Sequence, residues 1–264
     1  MAREPDDPIA PSDWSEIVRR VRARTPARLL VGRAGGAYRT STQLDLRNAH
    51  AAARDAIREE LDLERDLGMA LIERWNLFEV STQAANKDEY LLRPDLGRCL
   101  SERSGAELQT RCSRGNRLQI AIADGLSVTA VSVQVPPLLE LLYEQAIERN
   151  WTVGQTFVIR HCRVGILNEI GALLAPEVAI LLIGERPGLA TAESLSAYMA
   201  YRPQRNHTDA SRNLISNIHC RGVSTWNAAS RIMDLAAKMM RTGTSGCQLR
   251  EEFPARKEIK SFES

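Results

Sequence analysis

Val178-Ala179-Ile180-Leu181-Leu182-Ile183-Gly184-Glu185-Arg186-Pro187-Gly188-Leu189 is the stretch whose reading decides the fold. Its apolar run is too short for a helix and ends in glycine, so it reads as a strand buried on both faces, as in a parallel sheet. At the strand's carboxyl end a carboxylate and a guanidinium stand side by side, and Pro187-Gly188 turns the chain. In open α/β sheets that edge is where ligands sit.

The segments around it repeat the plan. Leu118 to Ala123 is a second apolar strand, and it runs into Asp124-Gly125-Leu126-Ser127. Phe78 to Thr82, Thr156 to Ile159 and Leu214 to Ile218 also read as strands, the last carrying Ser216-Asn217. A short helix opens at Arg93–Arg98, with Pro94 near its first turn. A longer helix is expected to begin near Pro136-Pro137 and to bury Leu138, Leu139 and Leu142, and a short one covers Asn168 to Leu174. Ser194 to Tyr201 fits helix or strand equally. Ser224 caps a last helix with Ile232, Met233 and Met239 on one side.

Upstream the pattern is helical. Ser12 or Asp13 caps a helix whose apolar stripe is Trp14, Ile17, Val18 and Val21, ended by Pro26, and two more helices span about 41–61 and 63–75. Gly32-Arg33-Ala34-Gly35-Gly36-Ala37 lacks the Lys-Ser/Thr of a phosphate loop and is not G-x-G-x-x-G, so it reads as a turn between helices. The expected division is a flexible arm at 1–11, a helical domain or bracing cap at 12–76, a mostly parallel α/β sheet flanked by helices at 77–242, and a polar tail at 243–264.

Composition bounds the function. The chain has 264 residues and a net charge of only +2, which does not suggest a general polyanion binder. The basic residues from Arg19 to Arg39, with Arg28 and Arg33 between, lack the aromatics of a nucleic-acid reader and suit a solvated face or an acidic partner surface. No apolar stretch approaches a membrane span, and Met1 to Pro8 has no signal-peptide core. Cys99, Cys112, Cys162, Cys220 and Cys247 are scattered, with no C-x-x-C pair, which points to a reducing cytosol.

Three polar turns, at Asp124–Ser127, Gly184–Gly188 and Ser216-Asn217, meet on one edge if their strands run the same way, and that edge is the expected ligand or partner face. The blander readings are that Asp124 and Ser127 merely start a helix and that Glu185 pairs with Arg186 or another local base. A catalytic set is not found. His161 and Cys162 are adjacent, and neighbours on a strand point to opposite faces. No G-x-S-x-G elbow exists, and His50 and His219 are isolated, as expected of surface or interface residues.

Five motifs nevertheless occur together in one order: Val31-Gly32-Arg33-Ala34-Gly35, Tyr90-Leu91-Leu92-Arg93-Pro94-Asp95-Leu96-Gly97-Arg98, Asp124-Gly125-Leu126-Ser127, Gly184-Glu185-Arg186-Pro187-Gly188-Leu189 and Ile215-Ser216-Asn217-Ile218-His219. In these the chain resembles the small (light) subunit of ethanolamine ammonia-lyase, over roughly residues 28–240. The resemblance implies an N-terminal helical part followed by a Rossmann-like part. It also implies assembly with a large catalytic subunit and adenosylcobalamin shared between the two. The complex would convert ethanolamine to acetaldehyde and ammonia by a radical route, with this chain enclosing the cofactor and contributing no catalytic residue. The family's cobalamin contacts fall on Val164, Glu185 and Leu214, the last in place of the usual Cys. Asp-x-His-x-x-Gly is absent, so no histidine here is expected on cobalt. Cytoplasmic location is implied, with bacterial microcompartment targeting open. The competing readings are a scaffold of the same fold without cofactor contacts and a stand-alone enzyme using His161 or Cys162.

Overall fold

The computed structural model describes residues 11–25, 29–188 and 190–251, with backbone alone at 11–14. The expected arm lies outside these residues except for Pro11, and so do Pro26, Arg28, Leu189 and the tail beyond Glu251. The chain opens with helix α1, Pro11–Arg24, a hairpin of β1, Arg33–Ala34, and β2, Ala37–Tyr38, and helix α2, Thr40–Arg58. Helices α3, Leu63–Leu67, and α4, Met69–Trp75, lead into strand β3, Glu79–Ser81. Next come α5, Lys87–Leu92; α6, Glu102–Arg111; β4, Leu118–Ala123; and α7, Val128–Glu148. The remainder is β5, Phe157–Arg160; α8, Leu167–Leu174; β6, Val178–Gly184; β7, Leu195–Tyr201; β8, Asn213–Ile218; and α9, Thr225–Thr242.

Six strands form one mixed sheet in the order β3-β5-β4-β6-β7-β8. The first four are parallel, and β7 is antiparallel to both β6 and β8. The sheet is therefore less uniformly parallel than expected. Because β7 reverses the direction once and β8 reverses it again, β8 runs with β6. The carboxyl ends of β4, β5, β6 and β8 thus share one edge, as the three polar turns require.

The period-two pattern of the strands sorts their side chains onto two buried layers. Ile120, Ile122, Ile180 and Leu182 face the layer covered by α7 and α9. Ala121, Ala123, Leu181 and Ile183 face the layer covered by α8, with Leu108 of α6. The connections leaving β4 and β5 thus pass over opposite faces, which opens a crevice beyond their carboxyl ends.

Several expectations need correction. Ser12 and Asp13 lie inside α1 and not at its cap. The Gly32–Ala37 segment is a small hairpin, closed by Gly35-Gly36 with Gly35 at φ 62°. The expected third helix is two, broken at Gly68, whose φ is 78°. In place of a helix opened by Pro94 there is a single 3-10 turn, Leu96–Arg98. Helix α7 starts at Val128, with Pro136 and Pro137 in its interior. Each proline costs about 3 kcal/mol there, yet Val131, Val135, Leu138, Leu139 and Leu142 are all 0 % exposed, and that burial prevails. Of the 12–76 stretch, Leu61 and Leu67 join the core beneath α7, whereas α2 buries no residue. The tail is tied down as far as Leu249: Asn213 Nδ2 donates to the Gly246 and Leu249 carbonyls, and Leu249 is buried. Among the described residues no helix is long and apolar enough to cross a membrane.

Candidate functional site

Gly184 is the residue that brings the polar turns together. A Cβ on it would lie 2.0 Å from the Ser127 carbonyl oxygen and 2.7 Å from that of Asp124, so only glycine lets the turn after β4 pack against the end of β6. The Leu126 N–H then donates to the Gly184 oxygen at 3.0 Å. Ser127 caps α7 through the Ala130 N–H and donates to the Ala192 carbonyl, so the helix-start reading of this turn holds. Asp124 does more than start that helix. Its carboxylate is wholly buried and accepts from Lys87 Nζ at 3.1 Å and from the backbone N–H groups of His161 and Cys162, both at 2.9 Å. The turns after β4 and β5 are thereby clamped together.

Glu185 follows directly. It is not paired with Arg186 among the described residues. Its carboxylate accepts Ser194 Oγ at 2.6 Å on Oε2, and Ser196 Oγ at 2.6 Å and the Asn217 N–H at 2.9 Å on Oε1. The β7–β8 register shifts between Leu195 and Ala197, which places Ser196 in the irregularity, and such a bulge re-aims a side chain. Asn217 sits at φ 62°. Strands β6, β7 and β8 thus converge on one carboxylate, and Oε2 retains accepting capacity.

A cleft of about 270 Å³ opens over this edge. Val164, Glu185 and Leu214, which lie far apart in the chain, all line it, together with Arg163, Arg186 and Tyr198. Val164 is half-buried on the turn after β5, and Leu214 is 44 % exposed on β8, opposite Tyr198 in register. Arg163 and Tyr198 were not singled out in the sequence, and Tyr90 only as the first residue of a motif. Tyr90 Oη donates to the Cys162 carbonyl at 3.0 Å, and the Arg163 guanidinium lies 4.1 Å from the Tyr90 ring centre. Burial pushes the Tyr90 hydroxyl far up, and it stays neutral. Burial also raises the Tyr198 hydroxyl, with the Glu185 carboxylate adding to the shift. The buried Nε of Arg163 has no acceptor among the described residues. The alternation of β7 held the signal for Tyr198, but only once that segment was known to be a strand.

His161 and Cys162 lie past β5, with His161 at φ 57°. His161 is 5 % exposed, and its ring faces the Ala84 carbonyl through Nδ1 at 3.1 Å and Glu60 through Nε2 at 2.8 Å. Cys162 is fully buried, and burial first, with Asp124 adding, holds its thiol well above the ordinary range. Such a thiol is inert, so no Cys–His pair operates here. His219 is also buried, contrary to the surface or interface placement expected, and closes its own turn through Asn217 Oδ1. Only His50 is exposed. Among the described residues no group of three or more His, Cys, Asp or Glu side chains is placed to hold a metal ion.

Comparison with known proteins bears on this edge. The family profile described as Ethanolamine ammonia-lyase light chain (EutC) matches residues 15–250. Similar proteins include the Ethanolamine ammonia-lyase small subunit of Pseudomonas putida, 40 % identical over 236 residues, covering 88 % of this chain and 86 % of the relative. That of Clostridium acetobutylicum is 37 % identical over 235 residues, covering 89 % and 95 %. That of Clostridium perfringens is 37 % identical over 230 residues, covering 87 % and 76 %.

Proposed function

This chain belongs to the ethanolamine ammonia-lyase light chain family, and from that premise we propose that its cleft encloses part of adenosylcobalamin at the interface with a large catalytic subunit. The assembled enzyme would convert ethanolamine to acetaldehyde and ammonia. The observation that carries the reading is the meeting of Val164, Glu185 and Leu214 on one cleft at the carboxyl edge.

The donor set fits the group. A corrin presents apolar edges fringed with amides. Val164 and Leu214 offer apolar contact, and Glu185 Oε2 can accept an amide N–H. A corrin is also larger than a recess of about 270 Å³, which suits a cofactor covered from its other side by a partner. Leu at position 214 supplies packing but no sulfur. The chemistry that adenosylcobalamin supplies when bound is radical generation, which lies with the cofactor and the large subunit. This chain's residues bind, orient and keep water from that edge. Residues 77–242 are read as the Rossmann-like covering domain. Within 12–76, the packing of Leu61 and Leu67 supports the bracing-cap reading for the part nearest the sheet.

Reconstitution tests the proposal: this chain, its candidate large subunit, adenosylcobalamin and ethanolamine, assayed for acetaldehyde, with each chain also alone. Turnover only with both chains is expected. In the active complex Glu185→Gln can keep the Oε1 acceptor for Ser196 and the Asn217 N–H, while an NH2 donor replaces Oε2, the acceptor offered to the cofactor. Its cofactor affinity is expected to fall about tenfold, the worth of one charge-assisted hydrogen bond. A complex that forms but binds no cobalamin would replace this proposal with the scaffold reading.

A further inference from the structure

Beside the cleft lies a second, larger recess of about 530 Å³ that the proposed function leaves unused. Arg98, Arg205, Arg212 and His207 wall it. The two hollows adjoin. Val164 of the cleft and Gly165 of the recess are consecutive, and Leu214 follows Arg212 by two residues at the start of β8. Tyr198 is within electrostatic reach of Glu185 in the cleft and of Asp209 and Arg212 in the recess.

The recess is built for negative charge. The Arg212 side chain is only 4 % exposed. One terminal nitrogen pairs with Asp209 and the other donates to Asn168 Oδ1 at 2.9 Å, but the buried Nε has no acceptor among the described residues. Burial lowers its pKa; Asp209 pulls it back up, and the Arg98 guanidinium opposes that pull, a like-charge repulsion that a bound anion would relieve. Arg98 lies across Gly165, where a Cβ would come within 2.7 Å of its Cγ, so the glycine lets the side chain reach this wall. Among the described residues neither the Arg98 nor the Arg205 guanidinium makes a hydrogen bond or ion pair. Of the two carboxylates in the recess, Asp209 pairs with Arg212, and Glu169 accepts the Leu100 N–H at 2.5 Å but keeps its charge. Three guanidiniums thus stand against two carboxylates, and the balance is positive by one.

We propose that this recess binds a phosphate group, and that its occupant is the phosphodiester in the nucleotide tail of the cobalamin whose corrin meets the adjoining cleft. The inference rests on the proposed cofactor role. Guanidinium groups suit phosphate oxygens in geometry as well as charge, and that diester is the one obligatory anion of the cofactor.

The test uses the assembled complex with this chain carrying Arg98→Gln and Arg205→Gln, both exposed positions. Spectrophotometric titration measures affinity for adenosylcobalamin and for adenosylcobinamide, which lacks phosphate and nucleotide. The double variant is expected to bind adenosylcobalamin about ten- to a hundredfold more weakly and adenosylcobinamide unchanged. Equal losses for both ligands, or no loss for either, would overturn the assignment. So would protection of the wild-type complex against heat by inorganic phosphate while the double variant keeps full cobalamin affinity, since the recess would then serve free phosphate. Glu185→Gln separates the two ideas. If it weakens both ligands while the arginine variant weakens neither, the cleft binds the corrin and the phosphate site is wrong. If the wild-type complex binds neither ligand, both fall.

Discussion

Asp124 holds the candidate site together. Its carboxylate has no solvent contact and takes Lys87, itself nearly buried, and two backbone N–H groups from the turn that leads to Val164. Removing one member of a buried ion pair leaves an uncompensated charge and costs about 3–5 kcal/mol. Asp124→Asn is therefore expected to lower the unfolding free energy by that amount, read as a lower urea midpoint with the m-value unchanged. A loss under about 1 kcal/mol would show that the pair contributes little. The sequence pointed to Asp124 and Glu185 because each follows an apolar strand directly. It did not show their partners, since Lys87 lies 37 residues from Asp124 and Asn217 lies 32 from Glu185. The blander alternative, a Glu185 pair with Arg186 or another local base, gave way to Ser194 and Ser196, which the β6–β7 pairing brings alongside.

The strands were legible because burial on both faces writes unbroken apolar runs, as in Leu118–Ala123 and Val178–Ile183. Direction was not, since nothing local in Leu195–Tyr201 says that it runs antiparallel. The Pro136-Pro137 pair misled because proline signals a helix start by local chemistry alone, while the burial of α7 is a tertiary effect. Gly184 belongs to this scale, because its worth lies in letting the turn after β4 close on β6. Gly184→Ala places a methyl 2.0 Å from the Ser127 oxygen, and is expected to cost about 1–3 kcal/mol or more through forced backbone movement. Gly36→Ala, where nothing lies within 4 Å, should leave the thermal midpoint within about 1 °C. Equal effects from the two substitutions would refute the close-packing argument.

Across the molecule, the bracing segment meets the sheet through Glu60, just past α2. Its carboxylate contacts His161 at 2.8 Å and Arg160 at 3.2 Å, and accepts the Lys87 N–H at 3.2 Å. One side chain thus ties the segment before α3 to the turn after β5 and to α5. No sequence pattern marks this junction, because Glu60 and His161 are 101 residues apart. Partial burial pushes the Glu60 carboxyl up, but His161, Arg160 and Lys87 together hold it below its ordinary value of 4.5. A carboxyl whose folded pKa is depressed adds stability above its unfolded pKa and loses it as pH falls through the folded value. Arg160, whose own pKa is raised, remains charged throughout that window. Glu60 is 40 % exposed, so solvent screens the pairing and the effect is modest. Thermal midpoints of the wild type and Glu60→Gln, followed from pH 6 to pH 3, should differ most at pH 6 and converge below about pH 4.5. A gap that stays constant across that range would mean the junction is held by packing alone.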